Sequence, residues 1–390
     1  MFTNVNYFEG IFVWNLKESV MKAPEIAYTK IKQSAISGRY VHPEQITTYV
    51  DSLPSRFNSV KLGASVQGRA IYKVSFGKGD TKILMWSQMH GNEATTTKAV
   101  IDLLNFLKTD HPLVAVIANR CTLEMILQLN PDGALVFSRV NANLVDLNRD
   151  AQQQSQPESR ILRTLFDTCR PDFAFNLHDQ RTIFNVGLTP KPATVSFLAP
   201  ALDKERSIST SRRLSMQLIA AMNQGLQQMI PGQVGRFDDS FNPNCVGDCF
   251  QMLHTPTVLF EAGHFHEDYE REKTREYIFW ALYKALDTIA NDTLREYDFK
   301  EYLSIPENNT LFFDVVVKNV HLLNPKYDQG VHAGILYKEK LHGTLVHFEP
   351  VLSDLGLLEG YFGHKTFDCT MAEDLSVLQQ STHLVGKLLR

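Results

Sequence analysis

Cysteine is scarce: five in 390 residues, an odd number at irregular spacings. A disulfide scaffold is therefore not what holds the fold together. Cys245 and Cys249 are the one close pair, as C-x-x-x-C, and no second pair follows to complete a zinc hairpin. Long apolar runs are also missing. No stretch reaches the roughly 18 apolar residues that a membrane span needs. The short run at 11–14 has no basic flank, so neither a membrane helix nor a leader peptide is expected. Excess positive charge is absent too: the formal net charge is -4, which argues against a general nucleic-acid surface. Repeats and low-complexity tracts are lacking. Together these absences lead to the expectation of a cytoplasmic protein. What remains is an ordinary globular composition, 44% hydrophobic and 21% charged, long enough for one large domain and a smaller one.

Strand-like and helix-like segments alternate over about 250 residues. A helix is expected over 43–52, with Pro43 at its first position, and a turn at 65–69 separates two strands, the second over 70–76. Residues 83–86 form an apolar strand that runs into a polar turn and a helix over 94–108. Strands are expected at 113–118 and 123–129, a turn at 130–133, a helix at 157–168 and a strand at 173–177. A helix over 207–229, a loop over 231–248, a strand at 257–260 and a helix over 269–291 follow. The alternation implies an α/β fold: a mostly parallel sheet with helices on both faces. Residues 1–40 read as an N-terminal arm, helical over 18–37, and 41–297 as the main domain. Residues 298–390 read as a small β-rich domain, with strands near 312–317, 334–337 and 344–348 and no legible chemistry.

Three of the apolar strands end in or just before a titratable residue: His90, His178 and Glu261. Mouths of neighbouring strands converge, and ligands collect there. Zinc takes three protein ligands and keeps one open position. His90, Glu93 and His178 supply two nitrogens and a carboxylate, and a water in the open position becomes acidic enough to attack a carbonyl. Glu261 is the candidate general base. Asn148 and Arg149 can hold a carboxylate, because a guanidinium binds one through two parallel hydrogen bonds. Arg139 is the candidate for polarising the scissile carbonyl. Asp146 can fix the tautomer of a ligand histidine. His264 and His266 form an H-x-H pattern that arises easily by chance, and Arg212 with Arg213 reads as a solvated helix face.

These pieces resemble the M14 family of zinc metallocarboxypeptidases. His90-Gly91-Asn92-Glu93, Asn130-Pro131-Asp132-Gly133, Val145-Asp146-Leu147-Asn148-Arg149, Asn176-Leu177-His178 and Leu259-Phe260-Glu261 stand in the family's order across residues 40 to 290. Gln67-Gly68-Arg69 is similar to the family's N-terminal segment. The resemblance implies a catalytic domain on a mixed eight-stranded sheet and one zinc ion on His90, Glu93 and His178. It implies that Glu261 is the general base for attack of the metal-bound water on the C-terminal peptide bond. Asn148 and Arg149 would grip the substrate's terminal carboxylate, and Arg139 would meet the oxyanion.

One departure stands out. Digestive members place a tyrosine on a loop shortly before the base glutamate, and no tyrosine occurs here between His178 and Glu261. Phe241, Asn242, Asn244 and Asp248 occupy that loop instead. An alternative substrate is therefore a small N-acyl amino acid, as in the aspartoacylase and succinylglutamate desuccinylase branch. A binding module without catalysis is the third reading. In either catalytic reading the expected partner is a substrate with a free carboxylate, not nucleic acid or a membrane.

Overall fold

The computed structural model describes residues 27–386 and 388. Most of the expected N-terminal arm, and the first half of the helix expected over 18–37, lie outside the described residues. From residue 27 the chain makes one short 3-10 turn (Tyr28–Lys30) and then further turns rather than an α-helix, and Tyr28, Ile31 and Ile36 are buried in the main core.

Helix α1 (Pro43–Asp51) starts at its proline, with the side chains of His42 and Gln45 completing a capping box. Strands β1 (Asn58–Ala64), β2 (Ala70–Gly77) and β3 (Thr81–Ser87) lead to α2 (Thr95–Phe106) and α3 (Pro112–Arg120). Then come β4 (Cys121–Ile126), α4 (Pro131–Leu135), α5 (Pro157–Cys169), β5 (Phe173–Asp179), β6 (Asn185–Val186) and β7 (Val195–Leu198). Helix α6 (Thr210–Leu226), β8 (Val234–Arg236), α7 (Val246–Met252), β9 (Thr257–Ala262), α8 (Glu272–Ala290) and α9 (Phe299–Ser304) complete the first part. A mixed sheet of eight strands has the order β1-β2-β4-β3-β5-β9-β7-β8. The central neighbours β4, β3, β5 and β9 run parallel, whereas β2 against β4 and β7 against β9 are antiparallel.

The two faces of the sheet carry separate apolar layers. On β3, Ile83 and Met85 join one cluster with α2, α3, α6 and α8. Leu84 and Trp86, one residue out of phase, join the other with Leu162 and Phe166 of α5 and Val246 and Phe250 of α7. Strands buried on both faces read as continuous apolar runs, which is why 83–86 stood out. Fully burying each such side chain contributes about 1.5–3 kcal/mol.

Several expectations are corrected. Residues 113–118 form helix α3, not a strand. Pro112 sits at the first position and His111 Nδ1 accepts the Leu113 N–H at 3.2 Å, so capping outweighs the β-branched composition. The turn at 130–133 is the start of α4, capped by the Asn130 side chain on the Gly133 N–H. The loop over 231–248 contains β8 and the first residues of α7, and β7 was not anticipated. Arg212 is buried rather than solvated, donating to Ala199 O and paired with Asp239.

Beyond residue 298, a short ladder pairs β10 (Asn308–Asn309) with β6. Strands β11 (Phe312–Lys318), β12 (His332–His342), β13 (Leu345–Gly356) and β14 (Phe362–Asp368) form a second sheet in the order β13-β12-β11-β14. Helices α10 (Ala372–Gln380) and α11 (Thr382–Val385) close the described chain. Val315, Val317, Ile335, Phe367 and Leu378 make an apolar cluster belonging to this sheet alone.

Candidate metal centre

His90 lies in the turn after β3, and the turn is held by backbone rather than by chance packing. Gln88 takes a left-handed φ of 49°, and the Asn130 side chain donates to Met89 O at 3.1 Å. Gly91 rests directly on α4: a Cβ there would lie 2.0 Å from the carbonyl carbon of Gly133. Asp132 of α4 accepts from the Ser65 hydroxyl at 2.7 Å, Gln67 N–H at 2.9 Å and Arg69 at 2.6 Å. Two motifs in the sequence are thus structural supports for the loop that carries His90 and Glu93.

His178 lies inside β5, next to Glu261 on the neighbouring β9, with which it is in register. His90, Glu93 and His178 are buried, and their candidate ligand atoms all lie within 4.8 Å of one another. His90 Nδ1 is 2.8 Å from Glu93 Oε1, His178 Nδ1 is 2.9 Å from Glu93 Oε2, and the two Nδ1 atoms are 3.2 Å apart. His90 Nε2 is 3.0 Å from Asp146 Oδ1. A carboxylate only accepts, so Nε2 must carry the proton and a neutral His90 presents the Nδ1 lone pair to Glu93. Lone pairs facing one another at these distances repel unless a further proton or a cation lies among them. A divalent ion satisfies all three donors at once, and the two nitrogens and one oxygen are the donor set zinc takes.

Charge in this cluster is steeply partitioned. Burial opposes ionisation of Glu93, yet His90 and His178 beside it hold its carboxyl far below the usual range. Asp146 is likewise held low despite burial, chiefly by its hydrogen bond to His90. Glu261 goes the other way: burial, then the charges of Glu93 and Asp179, push it well above an ordinary glutamate. Its Oε2 is buried without a hydrogen-bond partner.

All these groups face one cleft of about 1170 Å³, lined also by Arg139, Asn148, Arg149, Phe241, Asn242, Cys245 and Asp248. Arg139 donates to Asp146 Oδ2 at 3.1 Å and to Glu93 Oε1 at 3.3 Å. Asn148 Oδ1 accepts the Val246 N–H at 2.9 Å, fixing the start of α7. Arg149 is exposed and bonds Asn148 O and the Cys245 thiol, and no carboxylate among the described residues lies within ion-pair distance of it. Burial pushes the Asp248 carboxyl up to about 7. His264 is buried outside the metal cluster, and all five cysteines are free.

The sequence reading missed one whole side of this cleft. Residues 298–390 were expected to carry no chemistry, yet Tyr337, Glu339, Phe348 and Leu352 of the β12–β13 hairpin line it. Arg39 was missed as well. It reaches Asp179 Oδ2 at 3.2 Å, Thr95 Oγ1 at 3.1 Å and both oxygens of Glu339 at 3.1 Å. Asp179 in turn accepts from Thr95 N–H and Thr96 N–H and so caps α2, while its own N–H donates to Glu93 Oε2 at 3.1 Å. Arg39 and Glu339 are 300 positions apart, and no local pattern marks either.

The zinc carboxypeptidase family model matches residues 44–173. The chain is 28% identical to carboxypeptidase 2 of Trichophyton rubrum over 25% of its length and 30% identical to carboxypeptidase SOL1 of Arabidopsis thaliana over 32%. The matches span only 19% and 29% of those two relatives. A metallo-carboxypeptidase from Burkholderia cenocepacia superposes on 65% of this chain and 70% of its own, with a TM-score of 0.53 at 17% identity. One from Pseudomonas aeruginosa, in complex with (2-guanidinoethylmercapto)succinic acid, covers 65% and 68% with a TM-score of 0.51 at 16% identity. At such identities the structural likeness speaks for the fold. Among the described residues no helix is long and apolar enough to cross a membrane. Residues 44–173 thus carry the motifs of the zinc carboxypeptidase family model, on a fold shared with solved metallo-carboxypeptidases.

Proposed function

We propose that this chain is a zinc-dependent hydrolase that releases the C-terminal residue of a peptide. The observation that carries the reading is the convergence of His90, Glu93 and His178 beside the unpartnered, buried carboxyl of Glu261 in one open cleft. Zinc held by those three residues supplies a Lewis acid that acidifies a water and polarises a carbonyl. Glu261 takes the proton of the attacking water and passes it to the leaving amine. Its raised affinity for a proton suits both halves of that role. The uncompensated charge of Arg149, with the Asn148 amide, holds the substrate's carboxylate. Arg139 stabilises the oxyanion, and Asp146 keeps His90 in its ligating tautomer.

A second reading keeps this chemistry and replaces the peptide with a small N-acyl amino acid. It is favoured by the loop before Glu261, which presents Phe241 rather than a tyrosine, and by the hairpin that walls the cleft. In both readings residues 41–297 are the catalytic unit and 298–390 a module contributing to its cleft. The five free cysteines accord with a reducing, cytoplasmic setting.

The test is metal analysis of the purified chain, joined to an assay of C-terminal residue release. Chelation should abolish release and zinc should restore it. Glu261→Gln should lower kcat by about 10²–10⁴. Turnover that survives removal of the metal would sink the mechanism. Zinc binding without turnover of any peptide or acyl-amino acid would point to a binding module.

A further inference from the structure

We propose that the β12–β13 hairpin supplies a subsite for an aromatic or large apolar group on the acyl side of the bond cleaved, with Tyr337 and Phe348 as its specificity-determining residues. The inference rests on the hydrolase reading above and names the part of the substrate that the second sheet recognises.

Three rings line the cleft at this end: Tyr269, from the segment after β9, and Tyr337 and Phe348 from the hairpin. Tyr269 lies 5.3 Å from each of the other two, ring centre to ring centre, and Tyr337 lies 6.5 Å from Phe348. These are the separations at which aromatic groups attract edge to face, so a further ring can join them on the same terms. The cluster is anchored from behind. Asp314 of β11 is 1% exposed and accepts from the Tyr269 hydroxyl at 2.9 Å, the Tyr337 N–H at 2.7 Å and the Thr182 hydroxyl at 3.2 Å. One buried carboxyl group therefore fixes both tyrosines before any ligand arrives. Leu336 and Leu352 add aliphatic surface to the same wall.

The hairpin's acidic group on this wall is already committed. Glu339 gives both oxygens to Arg39, while Lys338 is exposed at the cleft. Apart from Lys338 and Ser353, rings and aliphatic side chains are what this wall offers a ligand.

Position decides which part of the substrate meets it. Asn148 and Arg149 approach the metal cluster from the face of the sheet covered by α5 and α7, since Asn148 caps α7 and Leu147 packs with Trp86 and Phe250. The hairpin docks on the opposite face, through Glu339 to Arg39 and from Arg39 to Thr95 at the start of α2. His90, Glu93, His178 and Glu261 lie at the strand ends between the two. A substrate whose terminal carboxylate sits on Arg149 must lead its acyl portion across the metal cluster and onto the rings.

The experiment uses the full zinc-loaded chain and two blocked dipeptides that share one C-terminal residue, N-acetyl-Phe-X and N-acetyl-Ala-X. The expected ratio of kcat/KM, Phe over Ala, is about tenfold or more. In a Tyr337→Leu, Phe348→Leu double variant with unchanged zinc content the ratio should fall towards one. The ratio, not the absolute rate, is the readout, so partial loss of folded protein does not mimic the effect. Binding of the two peptides to Glu261→Gln should show the same preference without turnover. Equal rates and equal binding in the parent chain, or a preference that survives the double variant, would overturn the subsite. Failure of the parent to cleave either peptide while still binding the Phe compound more tightly would overturn the hydrolase reading and leave the ring subsite standing.

Discussion

Arg39 grips Glu339 through both carboxylate oxygens at 3.1 Å, and the same guanidinium reaches Asp179 at 3.2 Å. A residue near the start of the described chain is thereby tied to the second sheet and to the strand end beside His178. The Arg39 and Asp179 side chains are only 5% and 2% exposed, so removing the cation leaves uncompensated charge in a dry site. Arg39→Ala should cost about 3–5 kcal/mol of stability, read from the denaturant midpoint. Glu339→Gln, where the lost partner is partly exposed, should cost about 1 kcal/mol. A loss below about 1 kcal/mol for Arg39→Ala would mean that the two carboxylates find water instead.

Glu261 sets the expected pH profile. Burial, and then the charges of Glu93 and Asp179, raise its proton affinity above that of an ordinary glutamate. A cation on Glu93 neutralises part of that repulsion, which leaves burial as the main cause. The base works ionised, so kcat/KM should fall as pH is lowered through a value above the ordinary 4.5. Profiles of the parent chain and of Asp179→Asn check this: removing a like charge should move the acid limb down. A limb at or below the ordinary glutamate range in the parent would show that Glu261 is not the titrating base.

How far the sequence revealed this arrangement depends on how local each cause is. The apolar run 83–86 was visible because a strand buried on both faces has nowhere to place a polar residue. His90, Glu93, His178 and Glu261 were visible because they stand where such runs end. Residues 113–118 misled because Val114, Val116 and Ile117 suggest a strand, while the Pro112 and His111 start signal decided for a helix. Asp179 carries no such local mark. Its job is to cap a helix whose own Ala94 offers no side-chain acceptor, and that partnership spans 84 positions. The ring cluster draws on Tyr269, Tyr337 and Phe348 from separate elements, and only the docking of the second sheet brings them together.

Asp146 supports the metal centre through His90. Its carboxylate accepts from Nε2 and is held in place by the Asn148 N–H and Arg139 Nε. Asp146→Ala frees the His90 ring to rotate and to take the other tautomer, so zinc affinity should drop about 10–100-fold in a chelator competition. Asp146→Asn keeps an acceptor oxygen for Nε2 and should retain more of the affinity than alanine does. Equal affinity in parent and alanine variant would assign Asp146 to the Asn148 turn alone.

Gly91 makes the strictest demand in the metal loop. Its α-carbon faces the backbone of Gly133, and a methyl group there would lie 2.0 Å from a carbonyl carbon and 2.2 Å from the Ala134 nitrogen. Neither neighbour is the tip of a flexible side chain, so the loop or α4 must move. Overpacking of this kind costs about 1–3 kcal/mol. The larger effect should be on the metal, because the displaced loop carries both His90 and Glu93. Gly91→Ala should therefore lose zinc stoichiometry at concentrations that saturate the parent, with a modest fall in the denaturant midpoint. Gly356→Ala is the control: its added methyl meets nothing within 4 Å, and zinc content and midpoint should match the parent. Full zinc content in Gly91→Ala would show that the loop can shift without disturbing its ligands.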